Sequence, residues 1–211
     1  MAKLSKELIA QEALNLLNEQ GESALSMRAL GARLGVSAMS LYTYYSSREE
    51  LVTAALTLMR QEYDNAPIPG EFWEDTIWRT TASIRAVGLK YAKAYSTQHG
   101  YENAARGHAR RIFQLHRDQG MPLEAYRRLY SMLEAYLGGF ISKEIDQMGA
   151  TFEPIAEDDP DREWMLIAEQ AYNDYTFAGG ISLIIKGMHL LDPEGSATWR
   201  TPEDPATWTW K

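Results

Sequence analysis

Apolar residues recur every three or four positions along most of the chain, which is the period of an amphipathic helix. In the first part of the chain this period predicts four short helices, with a glycine after each of the first two and a serine that can cap the second, third and fourth. Gly21 ends the first helix, and the others are predicted over residues 26–34, 37–44 and 49–64. Ser47 and Glu50 have the spacing of a capping box at the start of the fourth helix.

Longer helices are predicted in the remainder of the chain. The segment from Ala66 to Gly70, which contains two prolines, ends the fourth helix and marks the best internal boundary. Beyond it the helical period covers residues 72–98, 101–119 (one helix, or two with a kink at Gly107), 123–148 and 162–191. Residues 151–161 are acidic and predict a loop, and prolines after Asp192 exclude a helix in the tail. Since no strand pattern is found, we predict an all-α fold.

Composition is that of an ordinary globular protein, with 45% apolar and 24% charged residues among 211. The absence of cysteine excludes disulfides, thiolate metal sites and cysteine nucleophiles, and it indicates a cytoplasmic protein. There is no apolar run of 18 residues and no signal-peptide core, so we expect no association with a membrane. A net charge of -8 argues against a surface that is basic throughout.

The charge is distributed unevenly. Residues 1–48 carry five basic and four acidic side chains, a net charge of +1, and residues 23–48 contain three arginines and no acid. A surface that approaches DNA phosphates requires such a segment, because a carboxylate would repel the duplex. Chance in a neutral pair of helices explains the charge pattern equally well.

The segment 26–45 has the spacing of a helix-turn-helix, with Gly35 in the turn. Leu30, Leu34, Val36 and Leu41 can pack the two helices together. The outer face of the second helix then presents small, hydroxyl and slim side chains that can enter a major groove and contact base edges: Ala38, Met39, Ser40, Thr43 and Tyr44. Arginines and tyrosine hydroxyls can bind phosphates. The alternative is a helix-turn-helix used only for packing.

The first 60 residues resemble the tetracycline-repressor (TetR) family of transcriptional regulators. The resemblance rests on Ser26-Met27-Arg28-Ala29-Leu30-Gly31, Leu34-Gly35-Val36, Leu41-Tyr42-Thr43-Tyr44-Tyr45 and Arg48-Glu49-Glu50-Leu51. Gly31 stands for the family's usual Ala, Tyr45 for Phe and Arg48 for Lys. The resemblance implies that Arg28, Tyr42, Tyr44 and Arg48 bind phosphates, that Ala38, Met39, Ser40 and Thr43 lie near base edges, and that Ser26 and Ser37 belong to the same DNA-binding surface.

The C-terminal half is similar, more loosely, to the tetracycline repressors themselves, over residues 135–144 and 177–187. There the resemblance implies two helices that form a four-helix interface in a homodimer. The pairs Gly138-Gly139 and Gly179-Gly180 are costly in a helix, by about 1 kcal/mol each relative to Ala. A partner helix explains them, and an intramolecular contact explains them equally well.

The resemblance implies a three-helix DNA-binding domain over residues 1–48, a connecting helix over 49–66, a ligand-binding and dimerisation domain over 67–191 and an irregular tail over 192–211. The protein is then a regulator, most often a repressor, that a small molecule releases from a palindromic double-stranded DNA operator. Its candidate ligand-binding residues are Trp78, Tyr95, His99, Phe113 and His116, although most aromatic residues at helical spacing are ordinary core.

Enzymatic motifs are missing from the sequence: it has no phosphate loop, no nucleophile elbow and no His-Glu-x-x-His. We therefore expect no catalytic residue, no metal site and no cofactor. The alternative to a regulator is an all-α small-molecule-binding or catalytic domain with an incidental helix-turn-helix.

Overall fold

A computed structural model describes residues 4–98, 101, 103–121 and 123–191, without the side chains of 103–106 and 191. Within these residues every regular element is helical and there is no strand, which confirms the predicted all-α class. The elements are α1 (Lys6–Gln20), a 3-10 turn (Glu22–Ala24), α2 (Met27–Leu34), α3 (Ala38–Tyr42), α4 (Arg48–Gln61), α5 (Trp73–Lys90), α6 (Ala92–Thr97), α7 (Asn103–Asp118), α8 (Leu123–Met148), α9 (Arg162–Glu169) and α10 (Asp174–Leu191). No helix in this part of the chain is both long enough and apolar enough to cross a membrane.

The first four helices begin at serine caps. The hydroxyl oxygens of Ser5, Ser26, Ser37 and Ser47 each accept a hydrogen bond from the backbone N–H three residues later, at 3.1–3.2 Å. Gly21 and Gly35 follow α1 and α2 with φ of +83° and +68°, a region that glycine enters without steric cost. These signals are local, which is why the predicted bounds agree closely; α3 and α4 end two and three residues earlier than predicted.

The single helix predicted over residues 72–98 is wrong, because the chain breaks at Tyr91 (φ -113°, ψ +47°) into α5 and α6. Tertiary contacts hold this break. The Lys90 ammonium and the Tyr91 hydroxyl both donate to the carboxylate of Glu62, each at 2.6 Å. The redirected α6 packs against α1.

The single helix predicted over residues 162–191 is also wrong, since residues 170–173 separate α9 from α10. Asn173 caps α10: its side-chain oxygen accepts from the N–H of Thr176, and the Thr176 hydroxyl oxygen accepts from the N–H of Asn173, each at 3.1 Å. This reciprocal pair satisfies backbone donors that a continuous helix would satisfy internally.

Packing divides the chain into two compact units. Of the described residues, those up to Ala66 together with Ala82–Gln114 form the first unit, and Pro67–Thr81 with those from Leu115 to Leu191 form the second. In the first unit α1 packs on α4 and α6, and α2 packs on α3; in the second unit α8 packs on α10. The functional bounds at residues 48 and 66 stay a prediction, because packing and function need not divide a chain at the same residue.

Candidate DNA interface and buried polar cluster

The helix-turn-helix is held together by a small apolar core and one close backbone contact. Leu30 of α2 and Leu41 of α3 are completely buried. A Cβ added to Gly31 would lie 2.8 Å from the carbonyl oxygen of Val36, closer than carbon and oxygen normally approach. Glycine in place of the family's usual alanine therefore allows the turn to lie directly against α2.

The outer face of α3 is open to solvent. Met39 is 74% exposed and Tyr42 is 47% exposed, although both are large side chains that a core would bury. Thr43 and the capping Ser37 are exposed as well, while Ala38 and Ser40 are half-buried. This face therefore combines apolar and hydroxyl groups at a surface, as base reading in a major groove requires.

Two tyrosines at the end of the motif have their hydroxyls engaged within the domain. The Tyr44 hydroxyl donates to the carbonyl of Leu4 at 3.2 Å, and the buried Tyr45 hydroxyl donates to the carbonyl of Lys6 at 2.9 Å. Tyr42 differs from both, because its exposed hydroxyl has no hydrogen-bond partner among the described residues.

The three arginines of the acid-free segment differ in their surroundings. Arg33 binds the carboxylate of Glu19 with two hydrogen bonds of 2.6 and 2.7 Å and that of Glu12 with one of 2.9 Å, so it faces α1. The bonds from Arg33 lower the pKa of the Glu19 carboxyl. Arg28 at the start of α2 is exposed and makes no ion pair within the described part of the chain. The charge available to a phosphate is therefore smaller than the sequence alone indicates.

Arg48, the first residue of α4, joins three segments of the first unit. It donates to the carbonyls of Leu25 and Glu22, each at 2.7 Å, and its Nη1 lies 3.2 Å from the Glu22 carboxylate. The Tyr101 hydroxyl donates to the same carboxylate at 2.8 Å and accepts from Arg48 at 3.3 Å. In this structure Arg48 therefore fixes the start of α4, and binding a phosphate requires it to give up part of this network.

The predicted ligand-binding residues are distributed over both units. Tyr95 and Phe113 belong to the first unit, Trp78 and His116 belong to the second, and His99 lies outside the described residues. Tyr95, Trp78 and His116 are buried and Phe113 is half-buried. As a set they stay a prediction.

His116 is part of a polar cluster within the second unit. Its Nδ1 lies 3.3 Å from the side-chain oxygen of Gln119, whose amide nitrogen donates to the carbonyl of Glu71 at 3.1 Å and to the hydroxyl of Thr76 at 2.5 Å. Burial lowers the pKa of His116 to about 4, so the imidazole is neutral at pH 7.

A second polar cluster was missed from the sequence. Arg60 lies in the last turn of α4 and only 6% of it is exposed. Its Nη2 donates to the side-chain oxygen of Gln98 at 2.8 Å, while its Nη1 is buried and has no hydrogen-bond partner among the described residues. The signal was present, because Arg60 follows Leu56 by four residues and so continues the apolar face of α4.

Aromatic and imidazole rings adjoin Arg60. The ring of Tyr63 packs edge-on against His108 with 4.8 Å between centroids, and the side-chain nitrogen of Asn65 donates to Nδ1 of His108 at 3.0 Å. Burial, followed by the charges of Arg111 and Arg60, lowers the pKa of His108 to about 4. His108 is therefore a neutral ring at pH 7.

Comparison with known proteins identifies the same helix-turn-helix. Residues 9–55, which include the helix-turn-helix, match the family model described as "Bacterial regulatory proteins, tetR family". The class D tetracycline repressor of Escherichia coli is 25% identical over 199 residues, which cover 90% of this chain and 91% of that protein. The class A repressor from transposon 1721 is 31% identical over 93 residues, which cover 43% of each chain.

Solved structures share the fold along almost the whole chain. The structure of ActR from Streptomyces coelicolor in complex with actinorhodin superposes with a TM-score of 0.68 at 22% identity and covers 92% of this chain and 100% of that one. TetR from Acinetobacter baumannii AYE gives the same TM-score and identity, with coverage of 90% and 98%. Residues 9–55 therefore form the DNA-binding segment of the tetR family, and the comparisons support a transcriptional regulator of that family.

Proposed function

We propose that the chain is a cytoplasmic repressor rather than an enzyme, that it binds an inverted-repeat operator in double-stranded DNA as a homodimer, and that a small molecule releases it. The observation that carries this proposal is the exposed face of α3, where Met39 and Tyr42 are open to solvent on a helix that its apolar face anchors to α2. A helix-turn-helix used only for packing would bury these side chains.

The proposed DNA contacts divide into phosphate and base contacts. Arg28 and Tyr42 are the best-supported phosphate ligands, because both are exposed and neither has a competing partner in the described residues. Tyr44 and Arg48 are assigned to phosphates by family resemblance and must exchange an internal hydrogen bond on binding. The hydroxyl of Ser26 caps α2 by accepting, so its hydrogen stays available to a phosphate.

Base contacts are assigned to the residues at the start and along the outer face of α3: Ser37, Ala38, Met39, Ser40 and Thr43. Thr43 donates to the carbonyl of Ser40 at 2.7 Å, so its hydroxyl oxygen faces outward as an acceptor and its methyl group can contact a thymine methyl. Such contacts distinguish base pairs, whereas the phosphate contacts set the register of the protein on the duplex.

The homodimer is supported by α8 and α10. Large apolar residues on these helices stay exposed in the single chain: Met132, Met148, Tyr175, Leu183 and Leu190. Gly139 and Gly179 have open space around the position of a Cβ, as a partner helix would require. Gly180 has another explanation, because its missing Cβ leaves room for the side chain of Tyr136 in the same chain. A symmetric dimer then places two α3 helices about 34–36 Å apart, one turn of B-DNA.

Release by a small molecule is proposed by analogy and from the position of α4. The Escherichia coli relatives are tetracycline repressors by name, and the ActR structure contains actinorhodin. In this chain α4 begins at Arg48, beside the DNA-binding motif, and ends near the buried cluster around Arg60. A ligand that binds one position of α4 better than another changes the population of the DNA-binding shape.

Selection of DNA from a random duplex pool tests the proposal. We expect the full chain to enrich one inverted repeat at 150 mM salt. Met39→Ala should enrich a different repeat and should discriminate against the original one by about 1–3 kcal/mol at the altered position. Ile68→Ala, which truncates an exposed apolar residue of the second unit outside α8 and α10, is the control and should enrich the original repeat. The assignment of base contacts to α3 would be contradicted if the wild-type chain enriched no sequence, or if Met39→Ala enriched the same repeat as the wild type.

A further inference from the structure

Arg60 is a cation buried within the first unit. Only 6% of the residue is exposed, and among the described residues it forms no ion pair. Its Nη2 donates to the neutral amide of Gln98 at 2.8 Å, and its guanidinium also interacts with the hydroxyl of Tyr63. Nη1 is buried, and no described residue supplies it with an acceptor. A charge removed from water without a compensating partner destabilises the folded state, so such a group is rarely kept for stability alone.

The immediate surroundings of Arg60 are neutral and aromatic. Tyr63 and Tyr95 are the groups whose charges would act on it most strongly, and burial is the main influence that lowers the pKa of its guanidinium. Arginine nevertheless stays protonated in proteins. His108 adds a neutral ring whose Nδ1 already accepts from Asn65. The described groups of the cluster therefore offer a cation, an unused N–H donor and aromatic rings, and none of these groups carries a negative charge.

We propose that Arg60 is the anchor of the effector site and that the effector is an aromatic compound carrying one carboxylate. A carboxylate matches the planar guanidinium and supplies the acceptor that Nη1 lacks. A single carboxylate is sufficient, because Nη1 is the one guanidinium nitrogen of Arg60 that is buried without an acceptor among the described residues. The rings of Tyr63, Tyr95 and His108 suit an aromatic body. This inference rests on the proposed function and specifies its ligand.

Arg60 also connects the ligand to DNA binding. It lies 12 residues after Arg48 in the same helix, a distance of about 18 Å along α4 at 1.5 Å per residue. A carboxylate that binds Arg60 acts on the last turn of the helix whose first residue is bonded to Leu25 and Glu22, directly before the helix-turn-helix. Binding of a carboxylate at the end of α4 can therefore change the position of the start of α4.

Matched pairs of probes test this assignment on the full chain. Benzoate, 2-naphthoate and anthracene-2-carboxylate are each compared with the primary amide of the same ring by isothermal titration calorimetry. We expect at least one carboxylate to bind at least tenfold more tightly than its amide. Arg60→Met should reduce that ratio to less than threefold, while Arg110→Met, which removes an exposed arginine of α7, should leave it unchanged. If every carboxylate bound no better than its amide, or if the preference survived Arg60→Met, the assignment would be overturned.

Folding and operator binding are measured on the same variants. Arg60→Met should fold and should melt no lower than the wild type without ligand, because it removes an unpaired buried charge. It should bind the selected operator with wild-type affinity and lose only the release by the carboxylate. If Arg60→Met does not fold, the role of Arg60 as a ligand anchor is contradicted. If the wild-type chain binds no operator, the proposed function fails, whereas the carboxylate preference is decided independently by calorimetry.

Discussion

Tyr42 and Tyr45 provide a test that separates DNA binding from folding by removing one oxygen atom at a time. They are three residues apart at the end of the helix-turn-helix, yet Tyr42 is 47% exposed and Tyr45 is 5% exposed. The Tyr45 hydroxyl donates to the carbonyl of Lys6 at 2.9 Å, whereas that of Tyr42 has no partner in the described part of the chain. Replacement by phenylalanine preserves each ring, so any effect belongs to the hydroxyl.

The expected magnitudes follow from these surroundings. Tyr45→Phe loses a hydrogen bond worth about 0.5–1.5 kcal/mol of unfolding free energy, which corresponds to a decrease of about 2–4 °C in Tm per kcal/mol for a chain of this size. Operator affinity should change less than twofold. Tyr42→Phe should leave the unfolding free energy within about 0.5 kcal/mol of the wild type. It should weaken operator binding by roughly 2–12-fold, because one phosphate hydrogen bond is lost.

Urea unfolding and fluorescence anisotropy of a labelled operator measure the two effects on the same samples. The wild type and Tyr44→Phe complete the series, since the Tyr44 hydroxyl is bonded to Leu4 and is also assigned to a phosphate. Our assignment would be refuted if Tyr42→Phe bound the operator like the wild type while Tyr45→Phe, with stability restored by lower temperature, bound it more weakly.

Three further predictions concern charge, pH and packing. Arg48→Ala should lower the unfolding free energy by about 1–2 kcal/mol, because it loses hydrogen bonds to two carbonyls. It should weaken binding to operator and scrambled DNA alike, and the dependence of log affinity on log salt should become smaller by about one. A loss of operator binding alone would contradict this prediction. Burial lowers the pKa of His116 to about 4 in the folded chain, so the unfolded chain takes up the proton first as pH falls below about 6.5. The contribution of this histidine to the unfolding free energy should therefore be fully present above about pH 6.5 and decrease toward pH 4. In urea unfolding at several pH values, His116→Gln should make this decrease smaller. Leu41→Ala should cost about 3–5 kcal/mol in unfolding free energy, because the side chain is completely buried between α2 and α3.

The parts of the fold that could be predicted are those specified by adjacent residues. Serine caps and the glycines with positive φ locate the first four helices within a few residues, because the hydrogen bonds that begin and end these helices are formed within one turn. The break at Tyr91 could not be predicted in this way. Gly88 precedes it by three residues but lies within α5, and the contacts that hold the break join Lys90 and Tyr91 to Glu62, some 30 residues away in sequence.

In the candidate site, too, the features that adjacent residues determine could be predicted, and those that distant residues determine could not. The exposed face of α3 could be predicted, since the residues that pack inward and outward alternate with the helical period. The engagement of Arg33 with Glu12 and Glu19 could not, because sequence charge does not reveal which carboxylates fold back onto an arginine. Arg60 was predicted as part of α4, but its burial without a carboxylate depends on the segment around Gln98.

The ratio between specific and non-specific DNA binding, measured together with stoichiometry, decides whether the chain is a dimeric operator-binding regulator. Wild-type chain is titrated into the selected operator and into a scrambled duplex of equal length at 150 mM salt, and the complex is sized by analytical ultracentrifugation. We expect two chains per operator and half-sites centred about 10–10.5 base pairs apart. We also expect the operator to be bound at least about 10³-fold more tightly than the scrambled duplex. Equal affinity for both duplexes, or one chain bound per operator at saturation, would contradict it.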